Sequence, residues 1–310
     1  MNNLWGWVGF NAAVLAILAL DLGVLHRRSS KVSLKEAGIW SAVWVALSLC
    51  FAFAVYHTMG KESGLEFLTG YLIEYALSVD NIFVFVLIFT YFQVPEKYQH
   101  RVLFWGIIGA LVLRGVMIVA GSALVTRFAW TLYIFGAFLV FTGVKMALQK
   151  DDNAYNPERD PVLRLARRII PVANDYHGDK FFIRQAVASG GTRLAATQLF
   201  IVLLIVDTTD IIFATDSIPA IFAVTRDPFI VYTSNICAVL GLRALYFLLA
   251  GVVDKFVYLK LGLSLVLIFI GGKMLLEHFV HLPIVASLGV VGAVLASSIL
   301  ASLRWPREGH

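Results

Sequence analysis

Charge is what this 310-residue sequence has least of: Asp, Glu, Lys and Arg make up 15% of it, against about 25% in a typical soluble domain. With 59% hydrophobic residues, the chain reads as a polytopic membrane protein rather than a string of soluble domains. Cysteine is nearly absent. Cys50 and Cys237 both lie in apolar runs, so buried free thiols are expected and a disulfide framework is excluded. No basic run is interleaved with aromatics, which excludes a nucleic-acid partner. No Ser/His or Cys/His constellation falls at membrane depth, and there is neither a His-Glu-x-x-His motif nor a glycine-rich nucleotide loop. Those absences argue against an enzyme and against an ATP-driven pump. A basic stretch before the first apolar run is missing too; "HRR" follows it instead. That order is the reverse of a signal peptide, so a retained first span with its N-terminus outside is expected.

Long apolar runs are what the sequence has in quantity. A spanning helix needs about 20 such residues, and nine runs qualify: 5–25, 39–58, 66–92, 102–124, 129–148, 197–224, 229–250, 256–276 and 283–303. With the N-terminus outside and the C-terminus inside, 18 Lys and Arg fall in inner segments and 3 in outer ones. That asymmetry is the positive-inside pattern, and it places an all-α, multi-pass chain in the inner (plasma) membrane, with the lipid bilayer as its surroundings. The only sizeable piece outside the spans is the cytoplasmic loop 149–196. Its segment "DPVLRLARRIIP" alternates apolar and basic residues at helical spacing; it reads as a basic loop helix, with a cytoplasmic or membrane protein partner as the functional alternative. "DYHGDK" puts Asp175, His177 and Asp179 at alternate positions, and reads as a polar turn because it matches no complete ligand pattern.

The chain 1–310 is one membrane domain that contains an echo. "LVFTGVKMALQ" (139–149) aligns with "LIFIGGKMLLE" (267–277) at an offset of 128; "LVLRG" around Arg114 aligns with "LGLRA" around Arg243 at 129; "EYALSVDNI" (74–82) aligns with "DIIFATDSI" (210–218) at 136. The three matches fall in the same order, each with a charged residue in a span. They define repeat one at 66–148 and repeat two at 197–276, that is, spans 3–5 and 6–8. Three spans is an odd number, so the second copy is inverted. Inverted repeats are a transporter architecture with the substrate near the midplane.

Six carboxylates lie within spans: Asp21, Glu74, Asp80, Asp207, Asp210 and Asp216. Each costs about 2.5–3.5 kcal/mol near a span centre even on lenient scales, so each calls for a partner or an aqueous interior. Arg114 and Arg243 sit near mid-depth as charge-balancing groups; Lys145 and Lys273 lie nearer the ends. Two readings compete. The acids pair with the arginines to hold helices together, or Asp80 and Asp216, brought to the midplane from opposite sides, form half-sites for a cation. Glu74, Ser78 and Asn81 share one helix face, whereas Asp80 lies about 120° round from Glu74. Pro219 lacks an N–H and would interrupt the second helix near Thr215. Oxygens from Asp80, Asp216, Asn81, Asp210, Glu74, Ser217 and Asp207 would suit Mg²⁺, Ca²⁺ or Mn²⁺.

"GYLIEYALSVDNIFVF" and "TDIIFATDSIPAIFAVT", with "YQHRVLFWGIIGALVLR" and "GAFLVFTGVKMAL", resemble the TerC family over nearly the whole chain. That family is named for tellurium resistance and includes the alkali-induced Alx proteins. The resemblance implies an integral membrane protein of metal homeostasis associated with manganese export, with motif acids at Glu74, Asp80, Asp210 and Asp216. One departure is Asp207, where the family pattern has Glu. The expectation is therefore a divalent-cation exporter, with Mn²⁺ as substrate and no tightly bound cofactor. The alternative is a membrane scaffold for metal delivery, or for a metal or tellurite stress-response complex, acting through loop 149–196.

Overall fold

The computed structural model describes residues 4–25, 33–148, 164, 168, 170–173, 176–187, 191–250, 258–276, 279 and 282–304, with side chains at all of these but 20–25, 186, 187 and 191. Among them are nine helices: α1 Leu4–Leu25, α2 Leu34–Met59, α3 Lys61–Tyr91, α4 Glu96–Arg127, α5 Thr131–Leu148, α6 Gln198–Phe222, α7 Pro228–Leu249, α8 Leu259–Leu276 and α9 Ile284–Arg304. Eight are long and apolar enough to cross a membrane; the apolar part of α1 is the shorter Leu4–Ala19. Every expected span finds a helix. The ends differ most at α4, which starts at Glu96 rather than 102, because hydropathy marks the hydrocarbon-facing part of a helix and not its polar first turns.

Local chemistry sets several of these ends. Ser33 caps α2 by accepting from the Glu36 amide, and Thr197 caps α6 through the Phe200 amide. Asp227 caps α7 through the Phe229 amide at 2.8 Å, with Pro228 at the first helical position, where its missing N–H costs nothing. Between α2 and α3 the chain turns on Gly60 alone, at φ +100°, a region glycine occupies without a Cβ clash.

The side chains sort as a bilayer demands. Phe53, Val112, Val116 and Phe141 point outward, while Ser78, Asn81, Thr233, Ser234 and Asn235 are buried. Cys237 is buried, but Cys50 is exposed on α2, which corrects the expectation that both thiols are internal. An apolar run marks a span and does not say which side of it faces lipid. Lipid supplies no hydrophobic drive between helices, so close packing and polar contacts hold the bundle.

α7 lies centrally, packed by α2, α3 and α4; α3 also packs on α6, and α4 on α6. α5 and α8 form the tightest pair, along a glycine seam. A Cβ on Gly143 would stand 2.8 Å from the Ser264 carbonyl oxygen and 2.8 Å from Ile268. A Cβ on Gly271 would stand 2.6 Å from the Gly136 carbonyl oxygen and 2.9 Å from Val140. The register runs in opposite directions along the two helices, so they are antiparallel. Shifting each residue by 128 turns the first set of contacts into the second: Gly143 becomes Gly271, Gly136 becomes Ser264, and Val140 becomes Ile268.

The interval 149–196 is not only loop. Strands β1 (Phe182–Val187) and β2 (Gly191–Ala196) form an antiparallel hairpin with Phe182 opposite Ala196. The hairpin region is tied to the α3–α4 turn. Tyr176 donates to the Phe92 carbonyl at 2.7 Å, Arg101 pairs with Asp179, and the Arg101 guanidinium stacks 5.1 Å over Phe181. Burial pushes the Tyr176 phenol up to about 12. Asp179 and Gly178 form a turn, as expected; Asp175 and most of the basic segment 160–171 lie outside the described residues.

Candidate functional site

The acids within the apolar helices divide into three groups. The first is a closed ion network. Arg114 of α4 is completely buried. Its Nε donates to Asp210 Oδ2 at 2.8 Å and its Nη2 to Asp210 Oδ1 at 2.7 Å. Its Nη1 donates to Glu74 and, at 3.2 Å, to Asn235 Oδ1. Asn235 closes the ring by donating from Nδ2 to Glu74 Oε2 at 2.9 Å. Four helices (α3, α4, α6 and α7) meet in this network. Glu74 and Asp210, which align at the sequence offset of 136, share one arginine. Such a ring supports the fold because each buried charge is both paired and hydrogen-bonded; breaking it strands an ion in a low-dielectric interior.

The second group is the pair Asp80 and Asp216. Each is partly buried, and the charge of Asp216 acts on Asp80. Lys260 of α8 also acts on Asp80, while Thr142 and Lys145 of α5 face Asp216. Three buried oxygens on the same two helices, Ser78 Oγ and Asn81 Oδ1 on α3 and Ser217 Oγ on α6, have no hydrogen-bond partner among the described residues. All three residues are at most 1% exposed. Ser217 adjoins Glu74, and Ser78 and Asn81 share the α3 face of Glu74.

Asp207 stands apart. Its carboxylate lies over α4, where a Cβ on Gly109 would be 2.8 Å from both its oxygens, and its Oδ1 has no hydrogen-bond partner among the described residues. Only glycine leaves room for the acid there. Arg243 and Asp210 line a cavity of about 20 Å³ together with Gly106, Ala110 and Val239, room for about one water. The side chain of Asp21 is outside the described residues.

Two expectations change. Pro219 does not break α6, which runs unbroken from Gln198 to Phe222. Pro219 lies three residues from its end, where one missing N–H affects the last turn rather than dividing the helix. Among the described residues, no three His, Cys, Asp or Glu side chains gather closely enough to hold a metal ion. Arg114 draws Glu74 and Asp210 to one side.

Asn235 was missed by sequence reasoning. Its signal was an amide in the apolar run "YTSNICAVLGLR", eight residues before Arg243. Lys260 lies in the first turn of α8, which begins at Leu259, inside the expected span 256–276.

Comparisons with known proteins agree with the architecture. The family model described as "Integral membrane protein TerC family" matches residues 59–309. A Myxococcus xanthus protein described as an "Uncharacterized membrane protein" is 56% identical over 297 residues, covering 96% of this chain and 91% of its own. Proteins named "Putative membrane-bound redox modulator Alx" from Photorhabdus laumondii and Escherichia coli are 48% and 49% identical, covering 96% and 98% of this chain and 94% and 95% of theirs. No solved structure matches. The chain, a multi-pass integral membrane protein, belongs to the TerC family.

Proposed function

We propose that the protein moves a divalent cation across the membrane, with Mn²⁺ as the substrate and efflux as the direction, by alternating access between two inverted repeats. The observation that carries this reading is that Asp216 acts on Asp80 across two helices, while the residue next to each acid, Ser217 and Asn81, has a buried side-chain oxygen with no hydrogen-bond partner among the described residues. Buried polar atoms are almost always satisfied. Oxygens left open next to two carboxylates suit a hard cation that keeps part of its water shell. Asp80 and Asp216 are the core ligands, supplemented by Asn81 and Ser217. Glu74 and Asp210 form the counter-ion network with Arg114 in the state described above. Lys145 and Lys260 offer internal positive charge to the two acids between transport events.

Support for the inverted repeat comes from the glycine seam, where the antiparallel α5 and α8 contact each other through equivalent residues. A two-fold axis makes contacts of this kind, in which residue i meets j and its equivalent meets the equivalent of i. The relatives' name invokes redox modulation. Neither cysteine is placed for thiol chemistry, since Cys237 is buried and Cys50 sits on an apolar outer face, away from the electropositive settings that activate thiols. A redox effect would then be a consequence of metal flux.

The test is Mn²⁺, Ca²⁺ and Mg²⁺ flux in proteoliposomes. Wild type should carry Mn²⁺, and Asp80→Asn combined with Asp216→Asn should reduce flux to that of empty liposomes at equal reconstitution. Equal flux in the double variant would sink the proposal.

A further inference from the structure

The ion network is built from repeat-equivalent parts that are used unequally. Glu74 corresponds to Asp210 and Arg114 to Arg243, yet one arginine holds both acids. At the same offset of 129, the counterpart of Asn235 is Gly106. Asn235 fills the space beside Arg114 with two hydrogen bonds. Gly106 has no side chain to offer, and the cavity of about 20 Å³ lies there, lined by Gly106, Arg243 and Asp210. Arg114 grips Asp210 in a fork, and Arg243 lines the same cavity as Asp210.

An inverted repeat can reach its opposite-facing state by letting each copy adopt the conformation of the other. Resting on the transport reading above, we infer that Arg243 is the positioning residue of the opposite-facing state: it takes over the two midplane acids from Arg114, gripping Glu74 in the fork and Asp210 singly. The acids therefore keep one arginine throughout the cycle, and the identity of that arginine labels the state. Charge is conserved at the midplane, so neither acid is stranded during the exchange. The asymmetry of Asn235 against Gly106 sets the bias. Asn235 adds hydrogen bonds to charged groups only when Arg114 holds the acids, and such bonds are among the stronger ones. The Arg114 state is the resting one for that reason.

The experiment is hydrogen–deuterium exchange on the full chain in lipid nanodiscs, read at the α3–α4 turn (92–95) and the α6–α7 turn (223–227), for wild type, Arg114→Gln, Arg243→Gln and Asn235→Ala. Arg114→Gln should shift protection toward the opposite-facing state, with the two turns changing in opposite directions. Asn235→Ala, which keeps every charge, should shift the same way by about tenfold in the ratio of states. Arg243→Gln should shift the other way or stay at the wild-type pattern. Should Arg114→Gln fail to fold, Asn235→Ala against Arg243→Gln carries the comparison. If Arg114→Gln and Arg243→Gln, or Asn235→Ala and Arg243→Gln, change both turns in the same direction, or if Asn235→Ala changes neither turn, the inference is overturned. Mn²⁺ flux through the wild type separates this from the transport reading. Absent flux with opposed exchange shifts removes transport and keeps the arginine exchange. Normal flux with parallel shifts removes only the exchange.

Discussion

Arg114 and Asp210 meet fork to fork, through Nε to Oδ2 at 2.8 Å and Nη2 to Oδ1 at 2.7 Å, with the arginine fully buried. A planar guanidinium can make this contact and an ammonium cannot. Arg114→Leu leaves two buried carboxylates without a cation and should cost about 3–5 kcal/mol. Arg114→Lys keeps the charge and loses the fork, so it should fall between wild type and Arg114→Leu. Thermal unfolding in detergent, followed by size-exclusion fluorescence, ranks the three. Equal melting of Arg114→Leu and wild type would show that the network carries no stability.

The glycine seam makes a second, sharper comparison. Gly271 and Gly272 are neighbours in sequence, but a Cβ at Gly271 would meet the Gly136 carbonyl at 2.6 Å, whereas at Gly272 it would meet nothing within 4 Å. Gly271→Ala should destabilise by about 1–3 kcal/mol through overpacking. Gly272→Ala should be neutral or slightly stabilising, since alanine is the better helix former. By the seam's symmetry, Gly143→Ala should behave like Gly271→Ala. The midpoint of thermal unfolding checks all three.

Gly109 and Asp207 should be coupled. Gly109→Ala pushes a methyl to 2.8 Å from both carboxylate oxygens and should destabilise the wild type. In an Asp207→Ala background the same change should cost little. Residues in contact show coupling of about 0.5–3 kcal/mol in a double-mutant cycle, so additive melting shifts would mean that the two do not touch.

Tyr176 ties the hairpin to the α3–α4 turn, and its phenol sits at about 12, above the ordinary value of about 10. A phenol raised on folding lends stability that is whole below the unfolded value and lost as pH climbs through the folded one. The tie should therefore be constant from pH 6 to 9 and weaken between about pH 10 and 12. Tyr176→Phe should cost about 1 kcal/mol and abolish that alkaline step. Limited proteolysis of the hairpin as a function of pH, in wild type and variant, reads it.

Sequence reached most of this architecture because hydrophobic length and loop charge report directly on spans. It placed Glu74 and Asp80 on different faces of α3, and left open what Glu74 faces; the answer is Arg114. That answer needed the third dimension, since Arg114 is equally close in sequence to neither acid. The hairpin was not legible from hydropathy, which separates spans from the rest; its signal is two short runs, "FIRQAV" and "TRLAA", on either side of the small residues Ser189, Gly190 and Gly191 in the sequence. Cys50 was misplaced for a physical reason: in lipid an apolar thiol is as comfortable outside the bundle as within it. Pro219 was over-read, because a proline's effect depends on its distance from the helix end, and hydropathy does not fix that end.

The contacts between α5 and α8 would be the same if the two helices belonged to separate chains. A seam that maps onto itself asks for two copies of one surface facing opposite ways, and does not require the peptide that joins them. None of those contacts comes from the 149–196 interval. Cut there, the two halves should still find each other in the bilayer through α5 and α8.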